Sequence, residues 1–432
     1  MLVTKCVSTN LKGHLTVGGA DAIELAEEFG TPLYVYSENK IRQKIREFVL
    51  SMNKYYNGNG LVCYASKAFS CKEMYRICMQ ENIGIDVVSG GELYTALSVG
   101  FPAEKIVFHG NNKTPDELNA AVDNGVGRIV VDNITELKKL NEIAASKGKT
   151  VGIMLRIKPG VDAHTHDFIK TGQIDSKFGF ALETGEAMEA VKAALDMPAL
   201  KLRGLHSHIG SQIFDVDPFC LAAKIMLEFY RDIKVETGVE LEELNLGGGF
   251  GIKYLKSDVH EAYEEYMKQV SAVVHSFSHE LGIKTPFILI EPGRSVVGVA
   301  GTTLYTVGSV KKIPGVRTYV SVDGGMTDNP RYALYKSDYE IVCADRAEED
   351  RTETVTVAGK CCESGDLIQE NTKIQPVKSG DILAVLSTGA YNYSMASNYN
   401  RIPRAAVVMV KDGEARVVVK RETYEQVASN DI

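Results

Sequence analysis

The sequence has no CxxC pair, no low-complexity tract, no internal repeat, no basic excess and no apolar run approaching a membrane span. Each absence excludes something. Eight cysteines without that spacing, only Cys361 and Cys362 being adjacent, read as the reduced thiols of a cytoplasmic protein. A formal net charge of −8 argues against nonspecific nucleic-acid binding. The start, Met1-Leu2-Val3-Thr4-Lys5-Cys6, lacks an apolar signal core, so neither a secretory signal nor a membrane anchor is expected. What is present, 44% hydrophobic and 24% charged residues, is the composition of a soluble globular protein. The 432 residues exceed one ordinary domain, so two are expected.

The middle of the chain has a strong rhythm. Short β-rich apolar runs recur at Leu61–Ser66, Ile83–Val88, Lys105–His109, Arg128–Val131, Val151–Ile157, Leu202–His208, Leu244–Leu246 and Phe287–Ile290. Helix-like stretches separate most of them, among them Lys72–Gln80, Gly91–Val99, Pro115–Asn124, Glu136–Ser146 and Glu183–Leu195, then longer ones near Pro218–Thr237 and Asp258–Leu281. Parallel strands buried on both faces read as continuous apolar runs, and alternation with helices implies right-handed βαβ units. Eight such units, after a leading helix at Asn39–Lys54, predict an α/β fold of the TIM-like (β/α)8 barrel type. A doubly wound open sheet is the alternative.

The C-terminal third differs. Thr302–Lys311, Arg317–Val322, Ile341–Cys343, Glu353–Ala358, Ile382–Leu386 and Ala405–Lys411 are strand-like, with turns such as Asp323-Gly324-Gly325 between them. This is an all-β domain. Leu15–Val17 and Tyr34–Tyr36 are also strand-like and are expected to join it. The expected division is a barrel over 38–300 and a β domain from 1–37 and 301–432.

In a barrel of this kind, reactive groups sit at the C-terminal ends of the strands. Lys67 ends the first strand, in Tyr64-Ala65-Ser66-Lys67-Ala68. Asp86, His109 and Arg156 fall late in the second, third and fifth strands, and His206 and His208 end the sixth. The turn Gly247-Gly248-Gly249 follows the seventh, and Glu291-Pro292-Gly293-Arg294 follows the eighth. A lysine in an apolar strand more often snorkels to water, a triple glycine is usually a flexible turn, and a lone glutamate is usually solvated. Gathered on one rim they supply more: an amine that can condense with an aldehyde, backbone N–H groups for a phosphate, and a carboxylate for a ring nitrogen. Ser211 adds a hydroxyl from the neighbouring loop. A carboxylate that keeps such a nitrogen protonated makes the ring a strong electron sink, which favours decarboxylation. His164-Thr165-His166 and His206-Ser207-His208 invite a metal, but no further cluster completes a set of ligands, so none is expected. His208 is better read as stacking on a cofactor ring.

The chain resembles the diaminopimelate decarboxylase family, among the fold-type III pyridoxal-phosphate decarboxylases. The segments that carry the resemblance span nearly its whole length. They are Tyr64–Ala68, Asp86–Glu92, Lys170–Gly172 with Asp175–Gly179, His206–Gln212, Gly247–Phe250, Glu291–Arg294, Cys362–Asp366, and Gly389–Tyr391 with Ser394–Asn400. The resemblance implies pyridoxal phosphate held covalently by Lys67, with His208 on its ring and Glu291 at its nitrogen. Gly247, Gly248, Gly249, Ser211 and the Pro292-Gly293-Arg294 run would surround its phosphate. Arg294, Arg331, Tyr335, Glu363 and Tyr391 would bind substrate, Tyr391 touching the cofactor too. Cys362 would donate a proton. In this family Cys362 and Glu363 reach into a partner subunit's barrel, which implies a homodimer with shared sites. Phe69, and the run from Arg401 to Ala406, depart from many relatives.

The implied reaction is decarboxylation of meso-2,6-diaminopimelate to L-lysine. A decarboxylase of ornithine, arginine or a carboxylated polyamine would have no use for Arg331, whose planar fork pairs with a distal carboxylate. An amino-acid racemase would not need the Cys362–Asp366 motif, and a mere cofactor carrier would leave the β domain unexplained.

Overall fold

The structure, a computed structural model, describes residues 2–161 and 176–432. Eight parallel strands close on themselves: Gly60–Ala65, Gly84–Val87, Ile106–Phe108, Arg128–Val131, Val151–Lys158, Leu200–His206, Glu243–Asn245 and Phe287–Ile290. The eighth pairs back onto the first, with Ile288, Leu289 and Ile290 opposite Gly60, Leu61 and Val62. This is the closed barrel and not the open sheet. A two-residue strand, Phe180–Ala181, runs parallel beside Ile157 and Lys158.

The strands are apolar because the barrel is filled rather than hollow. Cys63, Val107, Val130, Met154 and Leu289 pack together as one buried cluster. At the N-terminal end, Arg128, which opens the fourth strand, reaches Glu243, which opens the seventh. The guanidinium donates to both carboxylate oxygens, at 2.6 and 2.8 Å, and both side chains are buried. A charged floor leaves the opposite rim for chemistry. The outer helices follow local rules. Pro115–Asn124 starts on a Thr114–Glu117 capping box with proline at its first position and ends on Gly125 in the left-handed region.

Nine further strands form a sheet of their own: Leu33–Ser37, Gly301–Ile313, Arg317–Val322, Ile341–Cys343, Glu353–Ala358, Leu367–Ile374, Ile382–Leu386, Ala406–Lys411 and Glu414–Val419. Leu33–Ser37 joins it as expected, antiparallel to Gly301–Leu304 and parallel to Ala406–Val410. Leu15–Val17 pairs instead with Val7–Thr9 and with Ala20–Asp21, and its Leu15 and Val17 are buried with Leu304, Val342 and Val408. Within the larger sheet, two strands go beyond the sequence reading. Leu367–Ile374 carries Gln369-Glu370-Asn371-Thr372-Lys373, and Glu414–Val419 is largely exposed, so neither shows a buried run.

By packing, the barrel unit is Ile45–Gly251 with His260–Gly293; the residues up to Lys44, Ile252–Val259 and Arg294–Ile432 form the other unit. Ile252–Val259 lies inside the expected 38–300 span, yet Ile252 and Tyr254 are buried with Tyr305, Tyr339 and Leu383 in the β unit's core. Among the described residues no helix is long and apolar enough to cross a membrane.

Candidate active site

The barrel rim gathers Lys67, Asp86, His109, Arg156, His206, His208 and Glu291. Lys67 stands two residues beyond the strand, which ends at Ala65, in a short 3-10 turn, Ser66–Ala68, whose other two residues are buried. Lys67 itself is exposed. The loop behind it is fixed by Tyr64, whose hydroxyl donates to the Phe69 carbonyl at 3.0 Å; Phe69 is fully buried. Asp86 is buried, and among the described residues its Oδ1 has no hydrogen-bond partner. Burial pushes its carboxyl well above the ordinary range, Glu291 and Glu92 add to this, and Lys67 opposes it.

Glu291 is the electrostatic centre of the rim. Its Oε1 accepts from His109 Nε2 at 2.7 Å and from Asn245 Nδ2 at 2.6 Å; its Oε2 accepts from His206 Nε2 at 3.1 Å. Burial alone would raise its pKa, but the two histidines hold it well below the usual carboxylate range. Burial pushes the His109 imidazole down, and that of His206 down to about 3, against the pull of Glu291. At neutral pH this is an anion held by neutral donors, each imidazole carrying its proton on Nε2. Among the described residues Oε2 accepts one such bond and Oε1 two, so Oε2 keeps a lone pair for a further N–H.

The three glycines earn their places by close approach. Gly247 has φ 68° and Gly249 φ 116°, in the left-handed region. A Cβ on Gly247 would lie 2.5 Å from the Ser207 carbonyl oxygen, on Gly248 2.1 Å from that of Glu291, and on Gly249 2.7 Å from that of Gly210. Three rim loops therefore pack backbone to backbone. The Gly248 N–H donates to His208 Nδ1 at 3.3 Å, and the Gly247 N–H to Asn245 Oδ1 at 2.9 Å. His208 is half-buried and lies beyond the end of its strand, so it does not share a task with His206. Burial and the charges of Lys67 and Arg156 hold its imidazole well below its ordinary pKa. Ser211 is half-buried on the same loop. Pro292 and Gly293 are buried, the Pro292 carbonyl accepting from Ala65 N–H at 3.2 Å.

A second group forms within the β unit. Arg294 and Arg331 are both buried and both reach Tyr254: Arg294 donates to its hydroxyl, and the Arg331 guanidinium lies 4.8 Å from its ring centre. Arg331 also donates to Tyr339 Oη at 3.2 Å and Ser337 Oγ at 3.1 Å. Arg294 lies 4.8 Å from the Tyr391 ring centre. Burial pushes the Tyr254 phenol up, but the two guanidiniums more than reverse it. Tyr391 has φ 68°, a conformation uncommon for a side chain of its size. Tyr335 is half-buried on the short helix that Arg331 opens. Cys362 and Glu363 are exposed on a separate turn. The Cys362 N–H donates to Asn400 Oδ1 at 2.7 Å, and the Asp366 carboxylate accepts from Cys361 N–H at 2.7 Å and Met326 N–H at 2.6 Å.

Sequence reasoning put His109 and His206 on the rim but not on Glu291, and it missed Asn245 and Tyr254 altogether. Asn245 lies two residues before the glycine turn, and Tyr254 lay in a loop assigned to the other domain. His109, His206 and Glu291 are also the described residues whose ligand atoms converge closely enough for a cation. The two Nε2 atoms carry protons donated to Glu291, so in this state neither offers a lone pair to a cation. His164, His166, the Lys170–Gly172 segment and Asp175 lie outside the described residues.

An aldehyde cofactor with a ring nitrogen and a phosphate fits what the rim offers. Lys67 provides the amine and Glu291 an anion with a lone pair to spare, while the glycine turn packs its backbone tightly against the neighbouring rim loops, where a Cβ would collide with their carbonyls. Residues 38–298 match the family model for the pyridoxal-binding domain of pyridoxal-dependent decarboxylases. Fold and rim thus define a pyridoxal-dependent decarboxylase, whose cofactor is pyridoxal phosphate. Two curated relatives narrow this. The diaminopimelate decarboxylase of Bacillus subtilis (strain 168) is 50% identical over 98% of this chain and 96% of its own. That of Staphylococcus aureus (strain COL) is 46% identical over 98% of this chain and 99% of its own. The crystal structure of the M. jannaschii diaminopimelate decarboxylase in co-complex with L-lysine has a TM-score of 0.92, with 37% identity, over 100% of this chain and 99% of that one. The chain belongs to the diaminopimelate decarboxylase family.

Proposed function

We propose that this protein removes carbon dioxide from meso-2,6-diaminopimelate to give L-lysine, with pyridoxal phosphate as cofactor. The observation that carries the choice of substrate is the pair of buried guanidiniums, Arg294 and Arg331, that both reach Tyr254. A substrate with a carboxylate at its non-reacting end uses such donors; ornithine and arginine do not. When bound, pyridoxal phosphate supplies the sink for the electron pair left by departing carbon dioxide.

The chain's residues do the rest. Lys67 anchors the cofactor through its amine. Glu291, kept ionised by neutral donors, holds a proton at the ring nitrogen. His208 covers a ring face. The Gly247–Gly249 turn, Ser211 and the Pro292–Arg294 run bind around the phosphate. Arg331 and Arg294 orient the distal carboxylate, Glu363 takes its neighbouring ammonium, and Tyr335 and Tyr391 close against substrate. Cys362 delivers the proton that replaces carbon dioxide. The exposure of Cys362 and Glu363 in the single chain supports a homodimer in which each subunit completes the other's site. A cytoplasmic location suits free thiols and a biosynthetic substrate.

The test is direct. Purified protein is incubated with meso-diaminopimelate, lysine, ornithine and arginine, and carbon dioxide and the amine product are measured. Turnover of diaminopimelate far above the others is expected. Comparable turnover of ornithine would defeat the assignment.

A further inference from the structure

Asn245 has no part in the chemistry described so far, yet it touches both ends of the cofactor's proposed seat. It closes the seventh barrel strand and is wholly buried. Its Nδ2 donates to Glu291 Oε1 at 2.6 Å, and its Oδ1 accepts from the Gly247 N–H at 2.9 Å. Glu291 N–H in turn donates to the Gly247 carbonyl at 2.7 Å, so the acid and the turn are joined twice, once through backbone and once through this amide. An amide is the side chain that presents a donor and an acceptor a fixed distance apart. Oriented this way, its donor favours the anionic form of Glu291, to which it bonds more strongly than to the protonated acid, while its acceptor holds the turn's N–H.

We propose that Asn245 is a positioning residue that fixes Glu291, as an anion, relative to the Gly247–Gly249 turn, and so makes the site selective for a ring carrying a protonatable nitrogen. This rests on the reading of Glu291 as the ring-nitrogen partner. His109 and His206 also hold Glu291, but neither connects it to the turn. Removing Asn245 leaves two donors on the acid and frees the turn to drift from it. The consequence is specific: ring-nitrogen recognition weakens more than phosphate recognition.

The experiment compares two ligands on the full-length protein stripped of cofactor: pyridoxal phosphate, and its deaza analogue with carbon in place of the ring nitrogen. Affinities are measured by absorbance titration for wild type, Asn245→Ala, Asn245→Ser, Glu291→Gln and the Asn245→Ala/Glu291→Gln pair. Wild type should prefer pyridoxal phosphate by tenfold or more, and Asn245→Ala should cut that ratio by roughly tenfold, the scale of one hydrogen bond to a charged group. Glu291→Gln should cut it too, and the double variant no further, because Asn245 acts through Glu291. A ratio within about twofold of wild type in folded Asn245→Ala and Asn245→Ser, even with both affinities lowered, would reduce Asn245 to mere support of the turn and overturn the proposal. Failure of both variants to fold would do the same. A wild type that takes up pyridoxal phosphate without preferring it would refute the Glu291 role itself, and one that takes up neither ligand would refute the proposed function.

Discussion

Replacing Glu291 by glutamine removes one charge from the rim and little else, and the hydrogen bonds around it determine the outcome. The new amide must place an NH2 where one carboxylate oxygen stood. At the Oε1 position it would face two donors, His109 Nε2 at 2.7 Å and Asn245 Nδ2 at 2.6 Å. At the Oε2 position it would face one, His206 Nε2 at 3.1 Å, and among the described residues His206 Nδ1 has no partner, so that imidazole can move its proton across the ring and accept instead. Glu291→Gln should therefore fold, with the amide NH2 toward His206 and a stability change within about 1 kcal/mol. Catalysis is a different matter. The NH2 can still donate to an unprotonated ring nitrogen, so the cofactor stays, but the anion that kept that nitrogen protonated is gone. A hydrogen bond to a charged group is worth about 1.5–3 kcal/mol, so kcat should fall by roughly 10- to 150-fold while cofactor affinity falls less than about tenfold. Carbon dioxide release at saturating diaminopimelate gives the first quantity, and absorbance titration of the cofactor-free protein the second. A kcat within about threefold of wild type, or a loss of cofactor that accounts for the whole fall in turnover, would refute the argument.

Four further outcomes are expected. Borohydride reduction of the loaded protein should fix the cofactor to the peptide containing Lys67, as mass spectrometry of a digest would reveal; a label on another lysine would reassign the anchor. Mixing inactive Lys67→Ala with inactive Cys362→Ala protein under conditions of subunit exchange should restore activity through one intact site per mixed dimer, and exchange without recovery would place both groups in one chain's site. Arg331→Ala should lower kcat/KM for diaminopimelate by roughly 30- to 150-fold, from about 2–3 kcal/mol, and leave the slow turnover of lysine unchanged, an equal fall on both counting against a role in binding the distal carboxylate. Acid should destabilise the cofactor-free protein through His206, held at about 3 against an ordinary 6.5. Between those pH values the unfolded chain takes up a proton that the folded one refuses, so this stability is present above 6.5 and lost as pH falls. At pH 5.5 the loss is about 1.4 kcal/mol, and the stability gap between wild type and His206→Gln in urea melts should narrow by that amount; parallel curves would show that His206 titrates freely.

The barrel was legible because its physics is local and repetitive. Strands buried on both faces must be apolar along their length, and runs such as Arg128–Val131 and Phe287–Ile290 show it without ambiguity. Helix starts were legible for the same reason, since Pro115 after Thr114 satisfies an end before any tertiary contact exists. The rim positions of Lys67, the Gly247–Gly249 turn and Glu291 were readable from residue type and from their places after the first, seventh and eighth strands. Strands with no continuous buried run, Leu367–Ile374 and Glu414–Val419, were not, because their pairing partners rather than their own pattern make them strands. Nor could the sequence assign Ile252–Val259 to the β unit, since what decides it is the burial of Ile252 and Tyr254 against residues far along the chain. The same holds for the rim's electrostatics. That Glu291 is an anion follows from His109, Asn245 and His206, which lie 182, 46 and 85 residues away and meet it only when the barrel closes. Sequence determined which groups stand on the rim. Tertiary structure decided which of them are charged, because charge state depends on burial and on hydrogen-bond partners, and both arise only when distant segments come together.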